Sequence, residues 1–185
     1  MSVGGLFSYA RRALFSKPTP ERQLIRLVKK ESIRRIVEIG IESIDDTISV
    51  LASTVKQARG EAVSYTALDL FDERPSDACP LQLMQGYRQL VASGAKVRLV
   101  PGSPVGSLVR EANSLADTDL LLISQSVSDD ALDPAWFYLP RMCHPGTLVY
   151  RLAPSETDDT PAEWQPIGLD EVARLATPPA ARLAA

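Results

Sequence analysis

Cysteine and histidine are scarce in this 185-residue chain, which has only Cys79, Cys143 and His144. Two distant thiols make no disulfide framework, so a reducing cytoplasm is the default expectation. One histidine and two separated cysteines do not make a zinc site. No apolar run reaches the roughly 18 residues of a spanning helix. The opening "MSVGGLFSYARRALFSKP" mixes basic and apolar residues, without the basic-then-apolar order of a secretory signal. A net charge of −3 argues against general nucleic-acid binding.

What is present suits one globular domain. Hydrophobic residues make up 45% and charged residues 23%. Charge is uneven, because residues 1–30 carry Arg11, Arg12, Lys17, Arg22, Arg26, Lys29 and Lys30 against Glu21 alone. Three segments follow from composition: an arm over 1–18, an α/β domain over 19–153, and a Pro-rich, partly disordered extension over 154–185. The arm has three readings. It packs across a second copy of the chain as part of a homo-oligomer, it floats, or, less favoured, it lies on an anionic membrane surface.

Between these ends, apolar runs alternate with helical patterns. "TPERQLIRLVKKES" reads as a helix capped by Thr19. "IRRIVEIG", "AVSYTALDL", "KVRLV", "TDLLLIS" and "TLVYRL" read as strands. "DDTISVLASTVKQARG" reads as a helix with Asp45 or Asp46 as cap. "PLQLMQGYRQLVASG" has Pro80 near its start and a stripe of Leu83, Met84, Tyr87, Leu90 and Val91. "SPVGSLVREANSLA" is capped by Ser103, and "GLDEVARLA" makes a short late helix. Strands joined by helix-length crossovers imply a doubly wound, mostly parallel Rossmann-like sheet. The expectation is five main strands, with none after Leu152. Ligands of such sheets bind beyond the strands' carboxyl ends, which selects the loops after Ile39, Leu68, Val100 and Ile123.

These pieces, in this order, resemble the class I S-adenosylmethionine-dependent methyltransferases, especially the small O-methyltransferase-like branch, over about residues 20–152. "RIVEIG" is similar to the first motif, "ALDLFDERP" to the second, "VRLVPGSP" to the third strand and its loop. "DLLLISQSV" and "LPRMCHPGTLVY" are similar to the fourth and fifth strand regions. The resemblance implies S-adenosylmethionine as cofactor and a small acceptor not identified by the sequence; no metal is expected, because Ser124 or Gln125 stands where metal-dependent members carry an acid. It implies that Glu38 orients the first loop and the methionine amino group. Gly40 lets the backbone approach the cofactor, and Asp69 takes the ribose. Leu70 borders the adenine, Gly102 and Ser103 lie near its edge, and Ser124 faces the reacting end.

The sequence also departs from that pattern. Glu42 and Ile44 stand where further glycines are usual, Ser124 or Gln125 where a metal-binding acid is common, and Thr147 in place of a second late glycine. The β-hairpin expected after strand five has no visible counterpart. Acids at 38, 42, 45 and 46 disfavour a pyrophosphate at this helix start. They suit the two cationic groups of S-adenosylmethionine and oppose its carboxylate, with Glu42 a candidate ligand contact. Asp69 is equally readable as a turn residue beside Arg74, and Gly102 as a turn glycine. Cys143 and His144 are adjacent and lack a third orienting group, so a catalytic dyad is disfavoured. Asp129, Asp130 and Asp133 suit capping better than Mg²⁺. Trp136, Phe137 and Tyr138 either cover the sheet or line an acceptor pocket.

Two functions of different class fit these residues. One is methyl transfer from S-adenosylmethionine to a small acceptor, favoured by Glu38 and Asp69. The other is a non-catalytic binding or assembly module on the same fold, favoured by Glu42, Ile44, Ser124 and the short C-terminus. No catalytic residue is identified in either.

Overall fold

The computed structural model describes residues 19–76, 78–154 and 162–177. The expectations for the arm at 1–18 and for the last eight residues lie outside them. In chain order the elements are α1 (Pro20–Lys30), β1 (Arg35–Ile39), α2 (Ile44–Gln57), β2 (Ser64–Asp69), α3 (Leu83–Val91) and β3 (Lys96–Pro101). Then come α4 (Pro104–Glu111), β4 (Thr118–Ile123), a short α5 (Asp129–Leu132), a 3₁₀ stretch (Asp133–Arg141), β5 (Cys143–Ala153), β6 (Glu163–Ile167) and α6 (Leu169–Ala176). Among the described residues the strands form one sheet in the order β3-β2-β1-β4-β5-β6. Only the β5–β6 pair is antiparallel.

Side-chain alternation splits the core into two layers. Ile36, Tyr65, Ala67, Leu120 and Leu122 face α1, α2 and α3, which supply Leu24, Val28, Val50, Leu51 and Leu90. Val37, Ile39, Leu68, Leu121 and Ile123 face the other side, where Leu108, Leu132, Trp136, Leu139 and Val172 pack. Strands buried on both faces read as continuous Ile, Val and Leu runs, as β1 and β4 do.

Four expectations change. First, the sheet has a sixth strand, so the boundary at 153 cuts through the domain. β6 pairs Leu152 with Trp164, and its Trp164 amide donates to Gln23 of α1 at 2.9 Å. "EWQPI" lacks a β-branched run, and Pro166 argues against a central strand. An edge position tolerates it, because one side of an edge strand needs no partner. Second, Ser43 caps α2 by accepting from the Asp46 amide, and Asp45 and Asp46 sit in the first turn. Acids there complement the helix dipole by roughly 0.3–1 kcal/mol each. Third, α3 starts at Leu83, three residues beyond Pro80, and its stripe is mostly outside. Met84, Tyr87 and Val91 are exposed, while Gly86 and Leu90 are buried. Fourth, β5 begins at Cys143, so "CHPG" belongs to the strand.

Candidate functional site

β1, β2 and β4 all run toward one end of the sheet, and a cleft of about 530 Å³ opens there. Its lining includes Gly40, Glu42, Asp69, Leu70 and Arg74, with Ser126 and Val127 from the loop after β4. This is the edge that the strand-end rule selects. The chain leaves β1 through Gly40 at φ +76°, with its amide donating to Leu68 across the strand pair at 2.8 Å.

The space against Gly40 belongs to the protein. A Cβ built there would lie 2.8 Å from Val127 Cγ2, 3.1 Å from Ser124 Cβ and 3.2 Å from Ser126 Oγ. Glycine is needed both for the left-handed turn and for the close approach of the β4 loop. Ile44 does not enter the cleft. It is half-buried at the start of α2, packs into the core and faces Gly86 of α3 at 3.5 Å from that glycine's would-be Cβ.

Asp69 ends β2 with its side chain almost wholly buried. Oδ1 accepts from the Phe71 amide at 2.8 Å and Arg74 Nε at 2.8 Å. Oδ2 accepts from the Ile41 amide at 2.8 Å and Arg74 Nη2 at 2.6 Å. A carboxylate has about four acceptor positions, so this one is saturated. Arg74 also donates to the carbonyls of Ile41 at 2.7 Å and Cys79 at 2.9 Å, tying three loops together. The hydrogen bonds to Asp69 hold its guanidinium pKa above the ordinary value, against a smaller opposing effect of burial.

Glu42 is exposed at the cleft mouth and tied across it. It accepts from Ser124 Oγ at 2.5 Å and from Gln125 Nε2 at 2.9 Å. Ser124 is fully buried, and its hydroxyl also meets Ser126 Oγ at 2.7 Å. Leu70 is half-buried in the lining. Gly102 (φ +129°) and Ser103 are not part of that lining, where Pro104 stands instead. Ser103 caps α4, and the Gly102 amide donates to Asp69 O at 2.9 Å.

Glu38 departs furthest from its expected place. Strand parity turns it to the same face as Ile36, away from the cleft and toward α1 and α2. There it lines a separate cavity of about 120 Å³ with Tyr65, Thr47 and Trp164. Its Oε2 accepts from Tyr65 Oη at 2.5 Å and Thr47 Oγ1 at 3.3 Å. Burial raises its pKa to about 7, partly countered by these hydrogen bonds and reinforced by the charges of Asp69 and Glu42. The parity of Ile36 and Glu38 is visible in the sequence and already implies this direction. Tyr65 and Thr47 as partners, and the tie of Arg74 to Ile41, depend on contacts between segments that one-dimensional pattern does not reveal, whereas Arg74 beside Asp69 follows the turn reading of that acid.

Other candidates resolve simply. Cys143 and His144 lie at the opposite end of the sheet, where Cys143 is in register with Thr118 at the start of β4. His144 Nε2 lies 3.2 Å from Asp119, and burial raises the Cys143 thiol pKa. Ser128 caps α5, and Asp129 pairs with Arg151 at 2.6 Å. Trp136 is buried in the core, whereas Phe137 is exposed with the Arg141 guanidinium 5.0 Å above its ring. No helix among the described residues is long and apolar enough to cross a membrane.

No protein-family model matches the chain, and no curated protein matches it. Solved structures do. One is cofactor-bound Rv0187 from MTB, at 16% identity and TM-score 0.52, covering 89% of this chain and 65% of that one. Another is the O-methyltransferase TomG from Streptomyces achromogenes, involved in tomaymycin synthesis and solved with SAM. It is 15% identical at TM-score 0.50, covering 84% of this chain and 65% of that one. The chain thus spans just under two thirds of the length of each. Identities this low speak to architecture alone, and on that level the chain has the class I S-adenosylmethionine-dependent methyltransferase fold.

Proposed function

We propose that this protein is a non-catalytic binding module built on the methyltransferase fold, one that has lost the ribose grip on S-adenosylmethionine. The carrying observation is the saturated carboxylate of Asp69. Two backbone amides and the Arg74 fork fill its acceptor positions. Ribose hydroxyls gain a partner there only by displacing a buried, bidentate, charge-assisted pair. Among the described residues lining the cleft, the cofactor's methionine carboxylate finds no free cation either. Glu42 stands at the mouth with negative charge, and Arg74 is committed to Asp69, Ile41 and Cys79. The residues present therefore do not fit the cofactor.

A second reading keeps S-adenosylmethionine binding, with methyl transfer to a small acceptor. The cleft of about 530 Å³ at the expected strand ends favours it. So does the bound cofactor in the two structural neighbours. Calorimetric titration separates the two readings. The module reading expects no saturable heat and no thermal stabilisation with S-adenosylmethionine or S-adenosylhomocysteine at about 1 mM, equivalent to roughly −4 kcal/mol. Saturable binding that Asp69→Asn abolishes would establish the second reading instead.

A further inference from the structure

The cavity beneath the start of α1 has a composition that the strand-end cleft does not share. Four carboxylates line it: Glu21 from α1, Glu38 from β1, Glu42 from the loop after β1, and Asp46 from α2. No Lys, Arg or His among the described residues does. The remaining wall is largely apolar, with Leu24, Ile36, Leu122 and Trp164. Glu42 is the one residue whose side is common to this cavity and the cleft.

Glu38 is only 3% exposed. Both of its hydrogen bonds fall on Oε2, and Oε1 has none among the described residues. Oε1 is not sealed off, since Ser107 Oγ alone among the described residues is a fully buried side-chain polar atom without a partner, and a cationic donor reaching Oε1 gains through both charge and hydrogen bonding. The like charges nearby work in the same direction. Asp46 has its pKa raised by burial and then by Glu21, so a cation entering here relieves repulsion already present. Apolar walls require that the cation carry an apolar body. At about 120 Å³ the cavity is somewhat smaller than the roughly 150 Å³ that admits benzene.

We propose that this cavity binds a small organic ammonium ion, an alkylamine of about four carbons, with its nitrogen at Glu38 and its chain against Leu122 and Trp164. The site is separate from the strand-end cleft and stands whether or not that cleft takes a nucleoside ligand.

The test uses the full chain and three probes of one size: n-butylammonium chloride, n-butanol and sodium butyrate. At about pH 8 the amine remains protonated and Glu38 is mostly ionised. Binding is followed by calorimetry and by tryptophan fluorescence. Trp164 lines the cavity, and Trp136 lies in the other core layer. The expected result is saturable binding of butylammonium, about tenfold or more weaker binding of butanol, and none of butyrate. Glu38→Gln is expected to weaken the amine by at least about tenfold. Butanol equal to the amine, or no amine binding by about 50 mM, overturns the proposal. Displacement of the amine by S-adenosylhomocysteine also overturns it, because it would assign the amine to the strand-end cleft. The three-probe comparison needs no variant, so a poorly folding Glu38→Gln still leaves a decisive result.

Discussion

Arg74 grips both carboxylate oxygens of Asp69, Nε to Oδ1 at 2.8 Å and Nη2 to Oδ2 at 2.6 Å. The pair closes the end of β2 at the position where the fold's relatives are expected to hold a ribose. Its removal should change stability and ligand binding in opposite directions. Arg74→Met leaves Asp69 with only its two amide donors and loses the ties to Ile41 and Cys79. The variant should lose about 2–4 kcal/mol in urea denaturation, as expected when one partner of a buried pair is removed. It should also gain detectable affinity for S-adenosylhomocysteine, because two acceptor positions are freed. Unchanged stability would mean that the clamp is loose in solution.

Glu38 makes the folded state sensitive to pH. Its pKa is raised from 4.5 to about 7 in the native protein, so between these values the native state binds more protons than the unfolded one. Stability from this group is therefore greatest below its unfolded pKa, falls as pH rises toward about 7, and levels off above. The full difference is on the order of 3 kcal/mol. Glu38→Gln should flatten this part of the profile and be more stable than the parent at alkaline pH, measured by thermal melts across the range. A variant profile parallel to the parent's would assign the dependence to another group.

Gly40→Ala tests the packing of the β4 loop. The left-handed backbone and the 2.8 Å approach to Val127 both oppose a methyl group, at a combined cost of about 2–6 kcal/mol. Adding Val127→Ala should recover only the steric part, which a double-mutant cycle measures. Full independence of the two substitutions would show that the loop does not rest on Gly40.

Trp164→Ala tests whether β6 belongs to the core. The side chain is 8% exposed and its strand is sewn to β5 and α1. A loss of roughly 3–5 kcal/mol is expected on chemical denaturation. A loss below about 1 kcal/mol would return residues 163–167 to a dispensable extension.

The elements legible in the sequence were those with a strong local pattern. Apolar runs of Ile, Val and Leu announced β1 and β4, and Thr19 and Ser103 announced their helices by capping chemistry. β6 was missed because "EWQPI" carries little local signal and is stabilised by its neighbours. The α3 stripe misled because its apolar residues satisfy helical spacing, yet the sheet edge leaves Met84, Tyr87 and Val91 uncovered.

The sequence by itself determined the alternation of strands and helices, the end of the sheet where the cleft opens, and the acid-rich loop after β1. These follow from period, sign of charge and chain direction, which are local properties. Only the tertiary structure decided what the acids do. Asp69 meets the Ile41 amide, Glu42 meets Ser124 across 82 positions of sequence, and Glu38 turns under α1 to Tyr65. A carboxylate's role is set by which donors reach it and how much water is removed. Both depend on segments that are distant in sequence and adjacent only after folding.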